Sequence, residues 1–354
     1  MKVVSVVGAR PQFIKNAPVS RQLRKNAEEI LIHTGQHYDR ELSQTFFDEL
    51  HLHEPDFNLG VGSGSHGYQT AAMLKGIEDI LLATKPDMVL VFGDTNSTLA
   101  GALAAVKSGI PLAHVEAGLR SYNKSMPEEI NRIVADHCSD ILFCPTYTAV
   151  SNLKKEDILK GVNFVGDVMY DALLHYRELA RKTEILSILN IEPKKYLLAT
   201  LHRQSNTDNL DTLKKIVRSL SQIQRTIIFP IHPRTRKALT AHGIILGENV
   251  RAIDPVGYLE FLNLQCHAEA ILTDSGGVQK EAYLLQVPCI TLREETEWVE
   301  TVEDGWNILV GSNTDCIVKM AHEFRPDKKQ RQLFGDGDAA QKIVKILEEY
   351  MMKS

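Results

Sequence analysis

The sequence has few cysteines, and their spacing gives no sign of a metal site or a disulfide framework. There are five in 354 residues. Five is an odd number, and no two of them form a C-x-x-C pair. Because most lie in apolar stretches, they predict reduced, buried thiols in a cytoplasmic protein and argue against zinc. The cysteines are Cys138, Cys144, Cys266, Cys289 and Cys316.

Long apolar runs and blocks of like charge are also missing. No run approaches the ~18 apolar residues of a membrane span, and the first strand breaks too soon for a signal peptide. The net charge is -5 and there is no Lys/Arg block, which argues against a nucleic-acid or membrane-surface partner. A basic pocket for a small anion stays compatible with this composition.

What the sequence does contain is a regular alternation of apolar runs and helical patterns. Strand and helix in strict turn predict right-handed βαβ units with a parallel sheet. The alternation begins afresh near residue 196, and 354 residues with 44% hydrophobic content suffice for two cores. We therefore predict an α/β fold with two doubly wound Rossmann-like domains, 1–168 and 169–354, facing a central cleft. The last helix, 339–351, could pack on either domain.

The predicted strands place ionisable residues at their carboxyl ends, where open parallel sheets bind ligands. The predicted strands are 3–7, 30–33, 88–92, 112–115 and 141–144 in the first domain and 196–201, 226–231, 270–273 and 288–292 in the second. The helices of the first domain are predicted at 13–23, 42–50, 99–106, 130–137 and 150–159, and a long helical run at 169–189 opens the second.

Three carboxylates and one imidazole are the candidates for acid–base chemistry. Proton abstraction from a poorly acidic carbon needs a base, and expulsion of a phosphate needs an acid or strong electrostatic support. Carboxylates that share a site raise the pKa of one of them, so one can act as an acid near neutral pH. Pro127 suits a first helical position, which puts Glu128 on one face with Arg132. The candidates are Asp94, Glu116, Glu128 and His202, and which carboxylate takes which proton stays open.

A second constellation predicts an anion site. Asp274-Ser-Gly-Gly277 follows a strand and precedes a helical pattern, a place where backbone N–H groups and the helix dipole hold phosphate. Ser275 is not expected to be an acyl-transfer nucleophile, because Thr273 stands where G-x-S-x-G requires glycine. Arg10, Lys15, His202, Arg203 and His232 at other strand ends could hold a diphosphate by charge-assisted hydrogen bonds.

Another glycine-rich segment, Gly62-Ser-Gly-Ser-His-Gly67, matches G-x-G-x-x-G but is not interpreted as a dinucleotide site. The residues before it, 55–59, make a poor strand, and Asp87 begins a strand where the fingerprint needs an acidic residue at a strand's end.

Taken together, these motifs resemble the non-hydrolysing UDP-N-acetylglucosamine 2-epimerases, and the matching segments cover almost the whole chain. They are G-A-R-P-Q-F-I-K (8–15), T-G-Q-H (34–37), G-D-T-N-S-T (93–98), H-V-E-A-G-L-R (114–120), P-E-E-I-N-R (127–132), H-R (202–203) and T-D-S-G-G-V-Q-K-E (273–281).

The resemblance implies a fold like that of the GT-B glycosyltransferases. It also implies that the protein is an isomerase of polysaccharide biosynthesis that needs neither a cofactor nor a metal. In this family UDP is eliminated to give 2-acetamidoglucal and is then added back, which interconverts UDP-GlcNAc and UDP-ManNAc. By motif match, the catalytic residues are Asp94, Glu116, Glu128 and His202, with Arg132 supporting the acidic cluster. Nucleotide binding is implied for Arg10, Lys15, His232, Phe261, Ser275, Gly276, Gly277 and Glu281, the last toward the ribose and Phe261 near the uracil. A cytoplasmic homodimer is implied as well.

Several positions depart from the commonest family pattern. Gln12 stands where many relatives have Glu, and Trp298 where many bacterial members have Arg. Gln36-His37 is followed by Tyr38-Asp39, and no Arg occurs between His53 and Arg120. The sequence therefore predicts little activation by UDP-N-acetylglucosamine at a second site.

Other functions stay open at this point. Gly257-Tyr258, Lys280 and Glu297-Trp298 also resemble the subgroup that acts on UDP-2,3-diacetamido-2,3-dideoxyglucuronate, and archaeal members. A GT-B glycosyltransferase would usually lack three carboxylates, and a hydrolysing epimerase would release UDP. A nucleotide-sugar-binding sensor would need the anion loop but not Asp94, Glu116 and Glu128 together.

Overall fold

The computed structural model describes residues 1–35 and 52–352, except for the side chain of Arg10. These residues form two compact units. Unit 1 comprises Met1–Leu174 and Gln332–Ser354, and unit 2 comprises His175–Arg331. The division falls inside a helix, Val168–Ala180, whereas the sequence placed the domain boundary after residue 168.

In the described part of unit 1, seven parallel strands form one sheet in the order β3-β2-β1-β4-β5-β6-β7. Their side chains point alternately to two covered faces, so strands such as Met88–Phe92 are apolar throughout. The strands are β1 (Lys2–Val7), β2 (Glu28–His33), β3 (Phe57–Asn58), β4 (Met88–Phe92), β5 (Leu112–Val115), β6 (Ile141–Cys144) and β7 (Val162–Phe164).

The helices of unit 1 connect these strands. Pro127 opens α4 at a position where a missing N–H costs nothing, and Thr95 and Thr146 cap α3 and α5 with their side chains. The helices are α1 (Arg10–Leu23), α2 (His66–Thr84), α3 (Asn96–Lys107), α4 (Pro127–Cys138), α5 (Tyr147–Lys155) and α6 (Val168–Ala180), the last of which continues into unit 2.

Unit 2 repeats this architecture. Within residues 175–331, six parallel strands take the order β10-β9-β8-β11-β12-β13. The strands are β8 (Leu197–Thr200), β9 (Ile227–Pro230), β10 (Val250–Ile253), β11 (Ala270–Thr273), β12 (Cys289–Thr291) and β13 (Asn307–Leu309). The helices are α7 (Ile185–Ile188), α8 (Gln204–Thr207), α9 (Leu210–Gln222), α10 (Pro233–Ala241), α11 (Tyr258–His267), α12 (Gly276–Leu284), α13 (Val299–Glu303) and α14 (Thr314–Glu323).

Each sheet reverses its order of growth at one place. In unit 1 this switch point lies between β1 and β4, and in unit 2 between β8 and β11. Helices on either side of a switch point leave for opposite faces of the sheet, which opens a crevice at the carboxyl ends of the two strands. The fold class is therefore confirmed: α/β, with two doubly wound Rossmann-like domains.

The C-terminal helix α15 (Ala339–Met351) belongs to unit 1. The Asp171 carboxylate on α6 accepts hydrogen bonds from the backbone N–H groups of Ala339 (3.2 Å) and Ala340 (2.7 Å). Gly166 and Gly335 approach so closely that a Cβ on Gly166 would lie 3.0 Å from the Cα of Gly335. Both have positive φ angles, near 90°, which favours glycine there.

Several local predictions were wrong. The sequence did not predict β7, β10, β13 or the two-residue strand β3, the last of which lies in the segment considered a poor strand. All four are edge strands that are short or partly exposed, so their apolar signal is weak. The long helical run at 169–189 is broken into α6 and α7. The helix predicted at 42–50 lies outside the described residues.

None of the described helices combines the length and the apolar character that crossing a bilayer requires.

Candidate active site

At the switch point of unit 1, three strand ends bring a cation and a carboxylate into contact. Lys15, in the helix after β1, forms an ion pair with Glu116, which follows β5. Both side chains are largely buried, with exposed fractions of 13% and 6%. Gly93, after β4, lies against them, since a Cβ built on it would be 3.0 Å from Lys15 Nζ and 3.3 Å from Glu116 Oε2. A side chain at position 93 would therefore crowd the pair.

The backbone of Glu116 adopts a left-handed conformation, with φ at 72°. This region is uncommon for residues with a side chain and is concentrated at functional sites. The N–H groups of Glu116 and Ala117 both donate to the carbonyl of Phe143, each at 3.1 Å. These hydrogen bonds hold the turn that presents the Glu116 carboxylate at the sheet edge.

A second ion-pair group lies beside it. Arg132 on α4 pairs with Asp94 and, through Nη1 at 2.7 Å, with Glu129. The Asp94 side chain is 33% exposed, whereas that of Arg132 is 6% exposed. Asn131 donates from Nδ2 to the Asp94 carbonyl at 3.0 Å. Asp94 is thus held at its backbone and its carboxylate while part of the carboxylate stays accessible.

The two glutamates at the start of α4 have different surroundings. Glu129 is buried and accepts hydrogen bonds from Ser121 N (2.9 Å), Ser121 Oγ (2.9 Å) and Tyr122 N (2.9 Å). Burial alone would raise the pKa of Glu129, but the Ser121 hydrogen bonds and the Arg132 charge lower it. Glu128 is exposed, which leaves it accessible to a ligand.

At the switch point of unit 2, one buried carboxylate organises a loop. Asp274 has no exposed surface and accepts from His202 N (3.0 Å), Arg203 N (2.9 Å) and Asn206 Nδ2 (3.1 Å). It therefore fixes the loop after β8 against the loop after β11.

The His202 ring lies at the edge of this loop. Its Nδ1 is 3.3 Å from Asp274 Oδ1, and its centroid is 5.5 Å from that of His232. Burial lowers the pKa of His202, and the charges of Arg203 and Arg234 add to the decrease against the opposing effect of Asp274. A neutral imidazole can accept a proton or a hydrogen bond near neutral pH.

The predicted anion loop forms the start of α12. Ser275 Oγ accepts from Val278 N at 3.4 Å, and Ser275 N donates to Thr273 Oγ1 at 2.9 Å. Gly277 is open, because the nearest atom to a Cβ there would be Ser275 Oγ at 3.9 Å. Gly276 is closed, because its Cβ would lie 1.8 Å from Glu297 Oε1.

Glu297 is held by two arginines, Arg293 at 3.0 Å and Arg203 at 3.6 Å. Burial opposes ionisation, but these charges lower the pKa of Glu297. Trp298 packs under Lys280, whose Nζ is 4.3 Å from the indole centroid. This part of unit 2 therefore gathers several buried charges next to the anion loop.

The remaining predicted binding residues of unit 2 lie on neighbouring elements. Glu281 on α12 accepts from Gln265 Nε2 (2.7 Å) and Tyr258 OH (3.4 Å), and burial raises its pKa. His232 caps α10 by accepting from Arg234 N at 3.2 Å. Phe261 packs against the apolar core of unit 2.

Sequence comparison identifies the family. The sequence model described as UDP-N-acetylglucosamine 2-epimerase matches residues 21–348. The chain belongs to this family. Membership confirms the family predicted from the motifs, and with it the isomerase class of enzyme.

Relatives within the epimerase family match over nearly the full chain. A UDP-N-acetylglucosamine 2-epimerase homolog of Methanococcus maripaludis is 57% identical over 354 residues, with 98% of this chain and 99% of the relative covered. A UDP-2,3-diacetamido-2,3-dideoxy-D-glucuronate 2-epimerase of Pseudomonas aeruginosa is 48% identical over 358 residues, covering 98% and 99%. Among solved structures, the UDP-GlcNAc 2-epimerase of Methanocaldococcus jannaschii in complex with UDP-GlcNAc and UDP has a TM-score of 0.91 and 47% identity, covering 99% of this chain and 100% of that chain.

The predicted site residues of this epimerase family member fall into two groups. Unit 1 pairs Lys15 with Glu116 and Arg132 with Asp94, and Glu128 lies on the same helix as Arg132. Unit 2 carries His202, His232, Phe261, Ser275, Gly276, Gly277 and Glu281. The side chain of Arg10, and Gln36 and His37, lie outside the described residues. In the part of the chain that the structure describes, no three His, Cys, Asp or Glu side chains are grouped so that they could hold a metal ion.

Sequence reasoning missed the residues that hold the predicted ones. Asp274 was assigned only to a loop, although it fixes the His202 backbone. Gln12 is buried and bonds both to Gly8 N (2.8 Å) and to the Phe92 carbonyl (2.7 Å), so it joins the β1 and β4 loops. For Asp274 the available signal was a carboxylate directly after the buried strand Ala270–Thr273, because buried polar groups need partners.

Proposed function

We propose that this protein is a non-hydrolysing UDP-N-acetylglucosamine 2-epimerase that interconverts UDP-GlcNAc and UDP-ManNAc. The observation that carries the proposal is the ion-pair group of unit 1. Glu116, paired with Lys15, and Asp94, paired with Arg132, follow the neighbouring strands β5 and β4. Carboxylates so held, at the crevice of a switch point, are suited to moving a proton on a bound sugar.

The proposed reaction is an elimination followed by a re-addition. A base removes the C2 proton, the electrons of the C2–H bond form the C1–C2 double bond, and the C1–O bond breaks with its electrons going to UDP. The products of this half are 2-acetamidoglucal and UDP. Reprotonation of C2 on the opposite face and attack of UDP at C1 then complete the epimerisation. No water is consumed.

Proton transfer is assigned to Asp94, Glu116, Glu128 and His202. Asp94 and Glu128 are accessible, and Glu116 is held in its left-handed turn. The lowered pKa of His202 supports a neutral imidazole that can accept a proton. Arg132 fixes Asp94 as a supporting residue.

Nucleotide binding is assigned mainly to unit 2. The N-terminus of α12 with Ser275, Gly276 and Gly277 offers N–H groups to the diphosphate, and His232, Arg10 and Lys15 add positive or hydrogen-bonding groups. Glu281 would accept from ribose hydroxyls, and Phe261 would pack near the uracil. The open space beside Gly277 supports a close approach of a ligand to the main chain.

Deuterium incorporation at C2 tests the proposal. UDP-GlcNAc is incubated with the protein in D2O, and C2–H is followed by NMR together with free UDP. We expect deuterium at C2, formation of the manno epimer and no stoichiometric accumulation of UDP. Epimer formation without exchange would contradict the elimination mechanism, and no turnover would remove UDP-GlcNAc as the substrate.

A second substrate is supported by the relative of Pseudomonas aeruginosa at 48% identity. The alternative activity is that of a UDP-2,3-diacetamido-2,3-dideoxyglucuronate 2-epimerase. The same experiment with this sugar nucleotide compares the two substrates through kcat/KM, and a preference of at least about tenfold, or ~1.4 kcal/mol, identifies the substrate.

The same measurement separates the remaining alternatives. A hydrolysing epimerase would release one UDP per sugar. A nucleotide-sugar-binding sensor or a GT-B glycosyltransferase would bind UDP-sugar without exchange of the C2 hydrogen.

We also propose that the protein is a cytoplasmic homodimer. Leu82, Val106 and Ile130 on three helices of unit 1 are exposed apolar side chains, which supports association. Cys144 and Cys289 are buried thiols, and burial raises the pKa of Cys289 to about 12, which suits a reducing compartment. Analytical ultracentrifugation at micromolar concentration measures the mass, and a monomer would contradict the dimer.

A further inference from the structure

A fully buried histidine lies below the carboxylates of unit 1. His114 is in β5, an interior strand of the sheet, two residues before Glu116, and none of its surface is exposed. Its Nε2 is 2.7 Å from the Gly93 carbonyl oxygen, and its Nδ1 is 2.7 Å from Asp136 Oδ1 on α4. Both ring nitrogens therefore have a partner on a different element.

The two partners determine which atoms carry hydrogen. A carbonyl oxygen only accepts, and an ionised carboxylate only accepts, so both contacts require N–H on the ring. Asp136 accepts in addition from Gly118 N (3.1 Å) and Arg120 Nη1 (2.6 Å). Burial alone would raise the pKa of Asp136, but hydrogen bonding to His114 and the charges of His114 and Arg120 lower it. The His114 ring therefore links the Gly93 carbonyl to the Asp136 carboxylate.

These hydrogen bonds join the three segments that carry the proposed catalytic groups. Gly93 directly precedes Asp94, and Gly118 is in the turn that begins with the left-handed Glu116. Asp136 is on α4, one turn beyond Arg132. One imidazole and one carboxylate thus set the positions of all three segments relative to β5.

Burying the His114 ring beside the charged groups of Asp136 and Arg120 is not expected to stabilise the fold more than apolar side chains would. Taking charged groups out of water costs several kcal/mol per ion, and apolar residues of similar volume often replace buried ion pairs without loss. The neighbouring residues of β5, Ala113 and Val115, are apolar and buried. The hydrogen bonds from His114 to Gly93 and Asp136, which an apolar side chain could not make, explain why an ionisable ring lies between Ala113 and Val115.

We propose that His114, oriented by Asp136, is a positioning residue for proton transfer by Asp94 and Glu116. By holding the Gly93 carbonyl, it fixes the peptide that leads into Asp94 and keeps Gly93 against the pair of Lys15 and Glu116. This inference rests on the proposed epimerase function.

The test compares substitutions that differ in their reach toward Gly93. In His114→Gln an amide N–H can reach the Gly93 carbonyl, in His114→Asn the side chain is too short, and His114→Leu has no donor. We expect kcat for C2 exchange to fall on the order of 10²-fold for the leucine and asparagine variants. The glutamine variant should recover at least about tenfold of this loss. KM should change by less than about threefold throughout, since UDP binding is assigned to other residues.

Two further variants separate positioning from general destabilisation. Asp136→Asn can donate from its amide to Nδ1 of His114 and so retains a hydrogen bond to the ring without the carboxylate charge; it should keep at least about a tenth of the wild-type kcat. Glu29→Gln is the matched control. Glu29 is a buried carboxylate of β2 paired with Arg24 and bonded to Ser5, at the amino end of its strand. The Glu29→Gln variant should have a lower melting temperature than wild type and an unchanged kcat.

The possible outcomes are distinct. A wild-type kcat in folded His114→Leu or His114→Asn overturns the inference, as does a rise of KM alone or a kcat loss in Glu29→Gln equal to theirs. If the leucine variant does not fold, the comparison of glutamine with asparagine decides, and equal kcat in these two overturns it. Absence of C2 exchange in the wild type would instead count against the proposed function.

Discussion

The ammonium group of Lys15 and the carboxylate of Glu116 form a buried ion pair, although 101 residues separate them in the chain. The parallel sheet makes this contact, because β1, β4 and β5 end at the same edge. Gly93 lies against this pair, where a Cβ would be 3.0 Å from Lys15 Nζ and 3.3 Å from Glu116 Oε2. The contact between Lys15 and Glu116 therefore depends on the order of the strands in the sheet, which places both residues in the candidate active site.

Removing the cation from this pair should impair the reaction. In Lys15→Met, Glu116 keeps its burial but loses the ammonium group of Lys15, and removing one member of a buried ion pair is costly. We expect kcat/KM for C2 exchange to fall on the order of 10²-fold. Lys75→Met is the matched control, because Lys75 pairs with Asp79 on the exposed surface of α2. A loss of similar size in the control would point to an effect of net charge.

Neutralising either carboxylate should slow turnover while UDP still binds. Asp94→Asn and Glu116→Gln keep the volume of the side chain but remove the base, and a general base typically contributes a factor on the order of 10² or more. Single-turnover exchange at C2 measures the chemistry, and calorimetry measures UDP affinity. Unchanged turnover would remove that residue from the mechanism.

A methyl group on Gly276 should disrupt the anion loop. In Gly276→Ala the new Cβ would lie 1.8 Å from Glu297 Oε1, so Glu297 must move away from Arg293 and Arg203. We expect UDP affinity to fall at least about tenfold, or ~1.4 kcal/mol, with little change in melting temperature. Gly67→Ala on α2 is the control, because its Cβ would meet no atom within 4 Å. Wild-type affinity in Gly276→Ala would argue against diphosphate binding at this loop.

The attachment of α15 should depend on pH through Asp171. Burial raises the pKa of Asp171 to about 6, and the charges of Asp167 and Asp338 act in the same direction, against the hydrogen bonds from Ala339 and Ala340. The native state therefore holds this proton at pH values where the unfolded chain has released it. Its contribution to the free energy of unfolding is present below about pH 4 and is lost as the pH rises through 6.

Asp171→Asn should remove the loss of stability that ionisation of Asp171 causes as the pH rises. We expect the melting temperature of the variant, relative to wild type, to rise between pH 4 and pH 7. Asp336→Asn is the control, since its hydrogen bond to Lys342 lowers the pKa of Asp336. The stability that Asp336 contributes is therefore present above about pH 4, and the difference in melting temperature between Asp336→Asn and wild type should stay nearly constant between pH 4 and pH 7. A pH-independent difference between Asp171→Asn and wild type would contradict the raised pKa of Asp171.

Some features could be predicted from the sequence because they depend on local order. Apolar runs such as that of β4 gave the central strands, Pro127 gave the start of α4, and Ser275-Gly-Gly gave the loop before α12. In each case the signal lies in adjacent residues, and the rule that parallel strands end at one edge supplied the rest. The edge strands β3 and β10 escaped because partial exposure removes that signal.

The sequence by itself therefore determined the two α/β domains, the family and the candidates at the strand ends, since these follow from periodicity and from motifs of contiguous residues. Only the tertiary structure decided that Arg132 pairs with Asp94 and with the buried Glu129, that Asp274 fixes the His202 loop, and that His114 bonds to both Gly93 and Asp136. These contacts join residues from different strands and helices. Their distances and hydrogen bonds exist only after the sheets have formed, because a buried polar group takes its partner from whatever the packing brings near it.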